Sequence, residues 1–231
     1  MTEKEILDEI RNIFGNNWQT RTGRTVPDTD NIRFGNDAVN IVGTVLYADL
    51  IDSAGLVNGF RAWFAAEIYK AYLLGVCRVI QNHQGEITAF DGDRVMAIFT
   101  GESKNSTAAK CGLQINHLVS EINKLIKTAY PTTAYTLHQV VGIDTGDLFV
   151  VKTGIRDSND LVWVGRAANY AAKLCALREE NYRTYITADV YNALNEASKL
   201  GGNPKTLMWE ARSWTETGLT IYRSNWSWPI G

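Results

Sequence analysis

The chain has 231 residues, enough for one domain with its own hydrophobic core. Its 23 Lys and Arg residues against 25 Asp and Glu residues give a formal net charge of −2. This balance offers no basic surface for nucleic acid and no polybasic segment for a membrane surface. The three widely spaced cysteines, Cys77, Cys111 and Cys175, predict reduced core thiols in a cytoplasmic protein.

The chain alternates between amphipathic helical stretches and short apolar strands. In chain order, the predicted elements are a helix (3–14), an irregular connector (15–37), a strand (40–49), a helix (60–83), two strands (86–90 and 94–100), a helix (106–128), two strands (135–144 and 147–152), a strand (160–164), a helix (166–180), a strand (183–186), a helix (188–199) and two strands (206–212 and 218–223). Asp91-Gly92 and Thr145-Gly146 are the predicted turns of two hairpins.

The order of these elements predicts the fold. A strand, a helix, two strands, a helix and a strand are typical of a ferredoxin-like βαββαβ core of the α+β class, here followed by extra C-terminal hairpin and helix elements. We expect residues 1–39 to form an N-terminal helix and irregular arm, and residues 40–231 to form the main domain. The aromatic tail over 226–229 either packs against that domain or contacts a second subunit.

Two aspartates lie where such a scaffold presents side chains. Asp49 ends the first apolar strand and shares a strand face with Val45 and Tyr47, because strand side chains alternate. Asp93 lies at the tip of a hairpin, after Asp91-Gly92. Each aspartate alone is better explained as a turn or cap residue. Together they predict a carboxylate pair for Mg²⁺ or Mn²⁺, since the first strand lies beside the hairpin in a β-α-β-β unit.

A further polar pair lies on the helix predicted over 166–180. Asn169 and Lys173 are four residues apart and therefore share a helix face. An amide and an ammonium group on one face can stabilise charge on phosphate or ribose oxygens. By itself, the pair is more simply explained as an exposed polar stripe.

Four segments, in this order and at this spacing, resemble the catalytic domain of class III nucleotide cyclases, the adenylate and guanylate cyclases. They are Tyr47-Ala48-Asp49-Leu50, Gly92-Asp93-Arg94-Val95-Met96-Ala97-Ile98-Phe99, Gly142-Ile143-Asp144-Thr145-Gly146, and Gly165-Arg166-Ala167-Ala168-Asn169-Tyr170-Ala171-Ala172-Lys173. The resemblance extends over about residues 41–200 and implies that residues 40–231 form a nucleotide cyclase catalytic domain.

The resemblance implies metal and ribose sites. Asp49 and Asp93, with the backbone carbonyl of Leu50, would bind two divalent ions, Mg²⁺ or Mn²⁺, in each active site. One ion would promote loss of the ribose 3′-hydroxyl proton and the other would hold the triphosphate. Asn169 would orient the ribose.

The match departs from the family at Lys173, which stands where the family has its transition-state arginine. Lysine supplies a point charge in place of a bidentate fork, so Arg166 or Arg94 is a candidate for a compensating cation. The family places the metal aspartates of one subunit opposite the asparagine helix of the other. The resemblance therefore implies a homodimer with composite active sites.

The positions that contact the base in purine-specific members also differ from the family pattern. Purine-specific members read the base four residues before the hairpin aspartate and seven before the asparagine, where this chain has Ala89 and Val162. Neither side chain can hydrogen-bond a base. Tyr47 is the candidate base-reading residue, and Arg166 is a further candidate for substrate binding.

A narrower resemblance concerns the hairpin over 90–99, the segment 164–169 and the segment 221–226, which are similar to those of pyrimidine cyclases from bacterial Pycsar antiphage systems. Such enzymes make cyclic UMP or cyclic CMP as a signal for an effector protein. The resemblance thus implies a cytoplasmic cyclase acting on UTP, or else on CTP.

Three other functions are alternatives for this sequence. An adenylate or guanylate cyclase with unusual base contacts is the first. A catalytically inactive, nucleotide-binding regulatory module is the second, and retention of Asp49, Asp93 and Asn169 argues against it. A diguanylate cyclase is the third, and the chain lacks the Gly-Gly-Asp/Glu-Glu-Phe hairpin of that group.

Overall fold

A mixed central sheet with helices on both faces organises the protein, whose computed structural model describes residues 1–179 and 181–231. The helices are α1 (Glu3–Gly15), α2 (Ser53–Gly59), α3 (Ala62–Asn82), α4 (Lys104–Ala129), α5 (Arg166–Cys175), α6 (Ala188–Asn192) and α7 (Glu196–Lys199). The strands are β1 (Gln19–Thr22), β2 (Asp37–Leu50), β3 (Glu86–Asp91), β4 (Arg94–Phe99), β5 (Gln139–Ile155), β6 (Ser158–Val164), β7 (Thr184–Thr187), β8 (Leu200–Gly201), β9 (Thr206–Leu207), β10 (Glu210–Trp214) and β11 (Leu219–Ser224).

The predicted α+β core is confirmed by the sheet order. The sheet runs β10-β11-β7-β5-β2-β4-β3, with β1 parallel to β2 and β6 antiparallel to β5. Its β5-β2-β4-β3 part is antiparallel throughout, and β3 and β5 each follow their preceding strand through a long helix. This is the strand arrangement of a ferredoxin-like βαββαβ unit.

The alternation of side chains along β2 divides the core into two layers. Leu46, Ala48 and Leu50 pack in one hydrophobic cluster with residues of α3 and α4. Val45 and Tyr47 pack on the other face, with the alanines of α5. Asp49 continues the second series, so the α5 side of the sheet is the side on which its carboxylate lies.

One predicted hairpin is wrong. The chain does not turn at Thr145-Gly146, because β5 is a single strand from Gln139 to Ile155. Its partner β2 has 14 residues, and the antiparallel ladder continues from Ala38↔Val151 to Leu50↔Gln139. The hairpin lies further on, between β5 and β6, where Asp157 has φ +67°.

Other predicted boundaries also change. The helix predicted over 166–180 ends at Cys175, and the helix predicted over 188–199 is two short helices, the second beginning after the N-cap Asn195. The connector predicted over 15–37 contains β1 and a 3-10 turn (Thr29–Asn31). The helix α2 was not predicted.

The aromatic tail packs against its own domain, which is the first of the two alternatives. The Trp228 backbone amide donates to the Leu113 carbonyl at 3.1 Å, and Asn116 donates to the Trp226 carbonyl at 2.9 Å. Lys110 lies over the Trp228 ring, 5.3 Å from its centroid. Among the helices of the described residues, none combines the length and hydropathy needed to cross a membrane.

Candidate active site

The two predicted metal aspartates meet at one end of the sheet. Strand β2 pairs with β4 through Ala48↔Val95, so Asp49 lies beside the start of β4 and Asp93 lies in the turn just before it. Burial raises the pKa of Asp49, and the negative charge of Asp93 raises it further. The sequence placed these residues on separate elements, and the antiparallel pairing brings their charges together.

The carboxylate pair leaves one oxygen without a protein partner. Oδ2 of Asp93 is buried, and no residue of the described chain hydrogen-bonds it. The Leu50 side chain is a hydrocarbon buried in the core, and the potential ligand at this residue is its backbone carbonyl oxygen. Residues 1–179 and 181–231 hold no cluster of three or more His, Cys, Asp or Glu side chains suited to a metal. The donor set is therefore two carboxylates plus backbone oxygen, which suits a hard cation.

Arg178 contacts the candidate site, and the sequence analysis did not predict it. Its Nη2 lies 3.4 Å from Oδ2 of Asp49, and this charge partly offsets the rise in the pKa of that carboxyl group. The predicted helix over 166–180 would have placed Arg178 in its last turn. Because α5 ends at Cys175, Arg178 instead follows the helix and reaches Asp49, and no local sequence pattern signals that contact.

Tyr47 and Ala89 line the same part of the α5 side. Both are half-buried against the cluster that contains Val45 and Met96. The guanidinium of Arg94 lies 5.4 Å from the Tyr47 ring centroid and also donates to Asp91 at 2.6 Å. Burial raises the pKa of Tyr47, so its phenol stays protonated and can donate a hydrogen bond.

Val162 is not brought to this cluster within one chain. Strand β6 directs Leu161 and Trp163 toward the cluster that holds Tyr47. Val162 lies between them in the strand, is 41 % exposed, and belongs to the opposite face. Its role in base selection stays a prediction.

Helix α5 lies directly on β5 because of a glycine. A Cβ atom at Gly142 would stand 2.2 Å from the Ala171 carbonyl oxygen and 2.3 Å from the Cys175 amide nitrogen. The Cys175 thiol donates to the Val140 carbonyl at 3.2 Å, and Val140 is the residue paired with Asp49. The C-terminal end of α5 is thus fixed beside the Asp49 end of β2.

Asn169 and Lys173 project from the exposed side of α5, opposite its buried alanines. Asn169 precedes Cys175 by six residues, or about 9 Å along the helix axis. Among the described residues, no side-chain hydrogen bond or ion pair joins Asn169 or Lys173 to Asp49, whose charged partner is Arg178.

Arg166 ties α5 to its own domain. Its Nε lies 3.4 Å from Oδ2 of the fully buried Asp144, and its Nη2 contacts Asp189 and the Thr145 carbonyl. The hydroxyl of Thr187 donates to the other Asp144 oxygen at 2.5 Å. These contacts occupy the guanidinium and fix the start of α5 against β5 and α6. Substrate binding by Arg166 stays a prediction.

Three proteins named uridylate cyclase are similar to this chain over nearly its whole length. The chain is 50 % identical to a uridylate cyclase of Xanthomonas perforans over 98 % of its own length and 97 % of the relative's. It is 43 % identical to one of Burkholderia cepacia (96 % of each) and 37 % identical to one of Rhodovulum sp. strain MB263 (96 % and 95 %). The chain belongs to the uridylate cyclase family. A scan against protein-family models returned no match.

Solved structures agree on the fold. A bacterial light-regulated adenylyl cyclase superimposes with a TM-score of 0.70 at 21 % identity, covering 81 % of this chain and 53 % of that one. The adenylyl cyclase CyaB from P. aeruginosa superimposes with a TM-score of 0.68 at 19 % identity, covering 84 % and 99 %. At these identities the likeness establishes the class III cyclase fold alone. With the sequence relatives, it identifies this member of the family as a nucleotide cyclase, a lyase acting on a nucleotide.

Proposed function

We propose that this cyclase converts UTP to 3′,5′-cyclic UMP and pyrophosphate, with CTP as the second candidate substrate. The observation that carries the proposal is 37–50 % identity to proteins named uridylate cyclase over nearly the full length. Ala89 and Val162 support it, because neither can hydrogen-bond a purine. Tyr47, half-buried beside Ala89 with a protonated phenol, is our candidate for reading the base.

Asp49, Asp93 and the Leu50 carbonyl are our candidate ligands for two Mg²⁺ or Mn²⁺ ions. The residues fit cations: an Asp93 oxygen is buried without a partner, and the Asp93 charge raises the pKa of Asp49. A cation between the two carboxylates relieves both penalties. When bound, divalent ions lower the pKa of the ribose hydroxyl and neutralise charge on the triphosphate.

The other residues bind and orient the nucleotide. Asn169 of the partner subunit holds the ribose so that its 3′ oxygen lies in line with the α-phosphorus. Lys173 of the partner subunit places a positive charge beside that phosphate, where negative charge develops. The 3′-hydroxyl loses its proton to solvent and its oxygen forms a bond to the α-phosphorus. The bond from the α-phosphorus to the oxygen that bridges it to the β-phosphorus breaks, and pyrophosphate leaves with that oxygen. Exposure of Asn169 and Lys173 on α5 supports a two-fold homodimer with composite sites.

The proposed setting is a bacterial antiphage response. In this setting the cyclic pyrimidine nucleotide is a cytoplasmic second messenger that activates an effector protein. The proposed catalytic domain is residues 40–231, and residues 1–39 form its N-terminal helix and arm. Strand β1 attaches that arm to the sheet by pairing with the start of β2.

Product identification tests this function. The purified protein is incubated separately with each of the four ribonucleoside triphosphates and Mn²⁺, and products are identified by mass spectrometry. We expect cyclic UMP to predominate, and the Asp49→Ala and Asp93→Ala variants to produce none while keeping the wild-type circular dichroism spectrum. A clear preference for ATP or GTP would overturn the pyrimidine assignment. Wild-type turnover by either variant at saturating Mn²⁺ would overturn the metal assignment.

A further inference from the structure

Arg178 places a positive charge beside the carboxylate of Asp49, the residue proposed above as a metal ligand. Nη2 of Arg178 is 3.4 Å from Oδ2 of Asp49. The Asp49 side chain is 20 % exposed and that of Arg178 is 41 % exposed, so the ion pair lies at the border between the site and solvent. Arg178 and Asp49 belong to the same chain, whereas the proposed role of Lys173 is in the partner's site.

The rest of the Arg178 side chain is anchored to the end of α5. Its Nη1 donates to the Cys175 carbonyl at 2.7 Å and to the Leu177 carbonyl at 3.1 Å. These acceptors include the end of the helix, where a cation is favourable. Because Cys175 contacts Val140, which pairs with Asp49, the anchor holds the guanidinium close to the carboxylate. Among the described residues, the Nη2 group hydrogen-bonds Asp49 at the partly exposed edge of the site, so it can change partners without exposing the core.

We propose that Arg178 changes partners when the substrate binds. In the metal-free protein its guanidinium forms an ion pair with Asp49, and when metal and nucleotide bind it leaves Asp49 and binds the triphosphate. The inference rests on the proposed metal role of Asp49. A metal ion on Oδ2 of Asp49 would stand within a few ångströms of the guanidinium, and two like charges at that distance repel. The triphosphate arrives with the metal and supplies the acceptor that the displaced guanidinium needs, since arginine matches phosphate geometry.

Arg178 is therefore expected to change the affinity for two ligands in opposite directions. Arg178 competes with a metal that binds alone and assists a metal that binds with polyphosphate. Arg178→Gln therefore binds Mn²⁺ alone roughly three- to fivefold more tightly than the wild type, the factor expected for an ion pair with an exposed partner. The same variant binds inorganic tripolyphosphate in the presence of Mn²⁺ more weakly, by a similar factor or more.

Arg183→Gln is the matched control. Nη1 of Arg183 also donates to two backbone carbonyls, those of Glu179 and Tyr182, at 2.7 and 3.1 Å. Both dissociation constants are measured for the full chain by titration calorimetry, and free Mn²⁺ is checked by its paramagnetic resonance signal. We expect Arg183→Gln to behave as wild type with both ligands. Urea unfolding of each variant verifies that the folded state is retained.

The Asp49→Asn variant distinguishes failure of the Arg178 inference from failure of the metal assignment. If this variant loses Mn²⁺ binding while Arg178→Gln binds Mn²⁺ no more tightly than wild type, the Arg178 inference is overturned and the metal site stands. The inference is also overturned if Arg183→Gln shifts both constants as much as Arg178→Gln. If Asp49→Asn binds Mn²⁺ as tightly as wild type, the metal assignment and the Arg178 inference both fail.

Discussion

The charge balance around Asp49 governs the site at the scale of single residues. Burial and the neighbouring Asp93 oppose ionisation of Asp49, while Arg178 and Arg94 favour it, and the net result is a raised pKa. An enzyme residue that binds a cation commonly carries such a penalty in the metal-free state, because the ligand geometry is held ready. The cost of ionised Asp49 to the stability of the metal-free protein can be measured.

Asp49→Asn should stabilise the metal-free protein at neutral pH. Because the folded-state pKa of Asp49 is raised above 3.8, the folded protein binds that proton more tightly than the unfolded chain does. The free energy of unfolding therefore falls as the pH rises from the unfolded-state pKa through the raised folded-state pKa, and the whole penalty is present above both values. In EDTA, the melting temperature of the variant should exceed that of wild type at pH 7, and the gap should narrow as the pH falls toward the raised pKa.

Asp91→Asn is the control for removing a carboxylate from the same end of the sheet. Asp91 is exposed and pairs with Arg94, so its removal should bring no such gain. An Asp49→Asn variant no more stable than wild type at pH 7 would show that Arg178 and Arg94 fully offset burial and the Asp93 charge.

Tyr47→Phe tests the base-reading role. The substitution removes one hydroxyl from a half-buried side chain and keeps the ring on which Arg94 lies. Loss of one hydrogen bond to the base should lower kcat/KM for UTP roughly tenfold and leave the melting temperature near that of wild type. Tyr191→Phe, whose ring stacks on Tyr222, should have no effect on either quantity. Unchanged UTP kinetics in Tyr47→Phe would remove Tyr47 from the base site.

At the scale of elements, the contact between α5 and β5 positions two sets of candidate-site residues, one on the helix and one at its C-terminal end. The helix presents Asn169 and Lys173 outward, and its end holds Arg178 beside Asp49. Its buried face is alanine-rich, and Gly142 on the strand lets the two backbones approach closely. Small residues on both surfaces therefore set where the polar groups of α5 lie.

Gly142→Ala should separate α5 from β5. The added methyl group would overlap the Ala171 carbonyl and the Cys175 amide, which are backbone atoms and cannot move alone. We expect a loss of roughly 1–3 kcal/mol in the free energy of unfolding, measured by urea denaturation, with impaired turnover. Gly59→Ala, where nothing lies within 4 Å of the new Cβ, should change stability little. Equal stability of both variants would mean that the helix adapts without cost.

At the scale of the whole molecule, the proposed active site draws on two chains. One chain supplies Asp49, Asp93 and Arg178 at one end of the sheet, and presents Asn169 on the exposed side of α5. A two-fold dimer would bring these groups together twice, each site using both chains. The homodimer is therefore an assembly requirement of the proposed chemistry.

Subunit mixing tests that requirement. Asp93→Ala and Asn169→Ala homodimers should each be inactive, but a mixed dimer has one site with both lesions and one intact site. With random exchange, half of the dimers are mixed and half of their sites are intact, so about a quarter of wild-type activity should return. Exchange is verified with differently tagged subunits. Confirmed exchange without recovered activity would mean that Asp93 and Asn169 do not serve one site from opposite subunits.

Much of the fold followed from local sequence patterns. The alternating strand that ends at Asp49, the long amphipathic helices and the Asp91-Gly92 hairpin were predicted close to their observed bounds, because neighbours within a few residues determine them. Their order predicted the βαββαβ core, and the four cyclase-like segments predicted the nucleotide cyclase family that the relatives confirm.

Only the tertiary structure decided how distant segments meet. Thr145-Gly146 has the composition of a turn, yet the long β2 partner keeps β5 extended through it. The contact between Arg178 and Asp49 spans 129 residues and exists because α5 ends at Cys175. The engagement of Arg166 with Asp144 and Asp189 likewise depends on packing between separate elements. Local periodicity determines which elements form, whereas long-range packing determines which charges become neighbours.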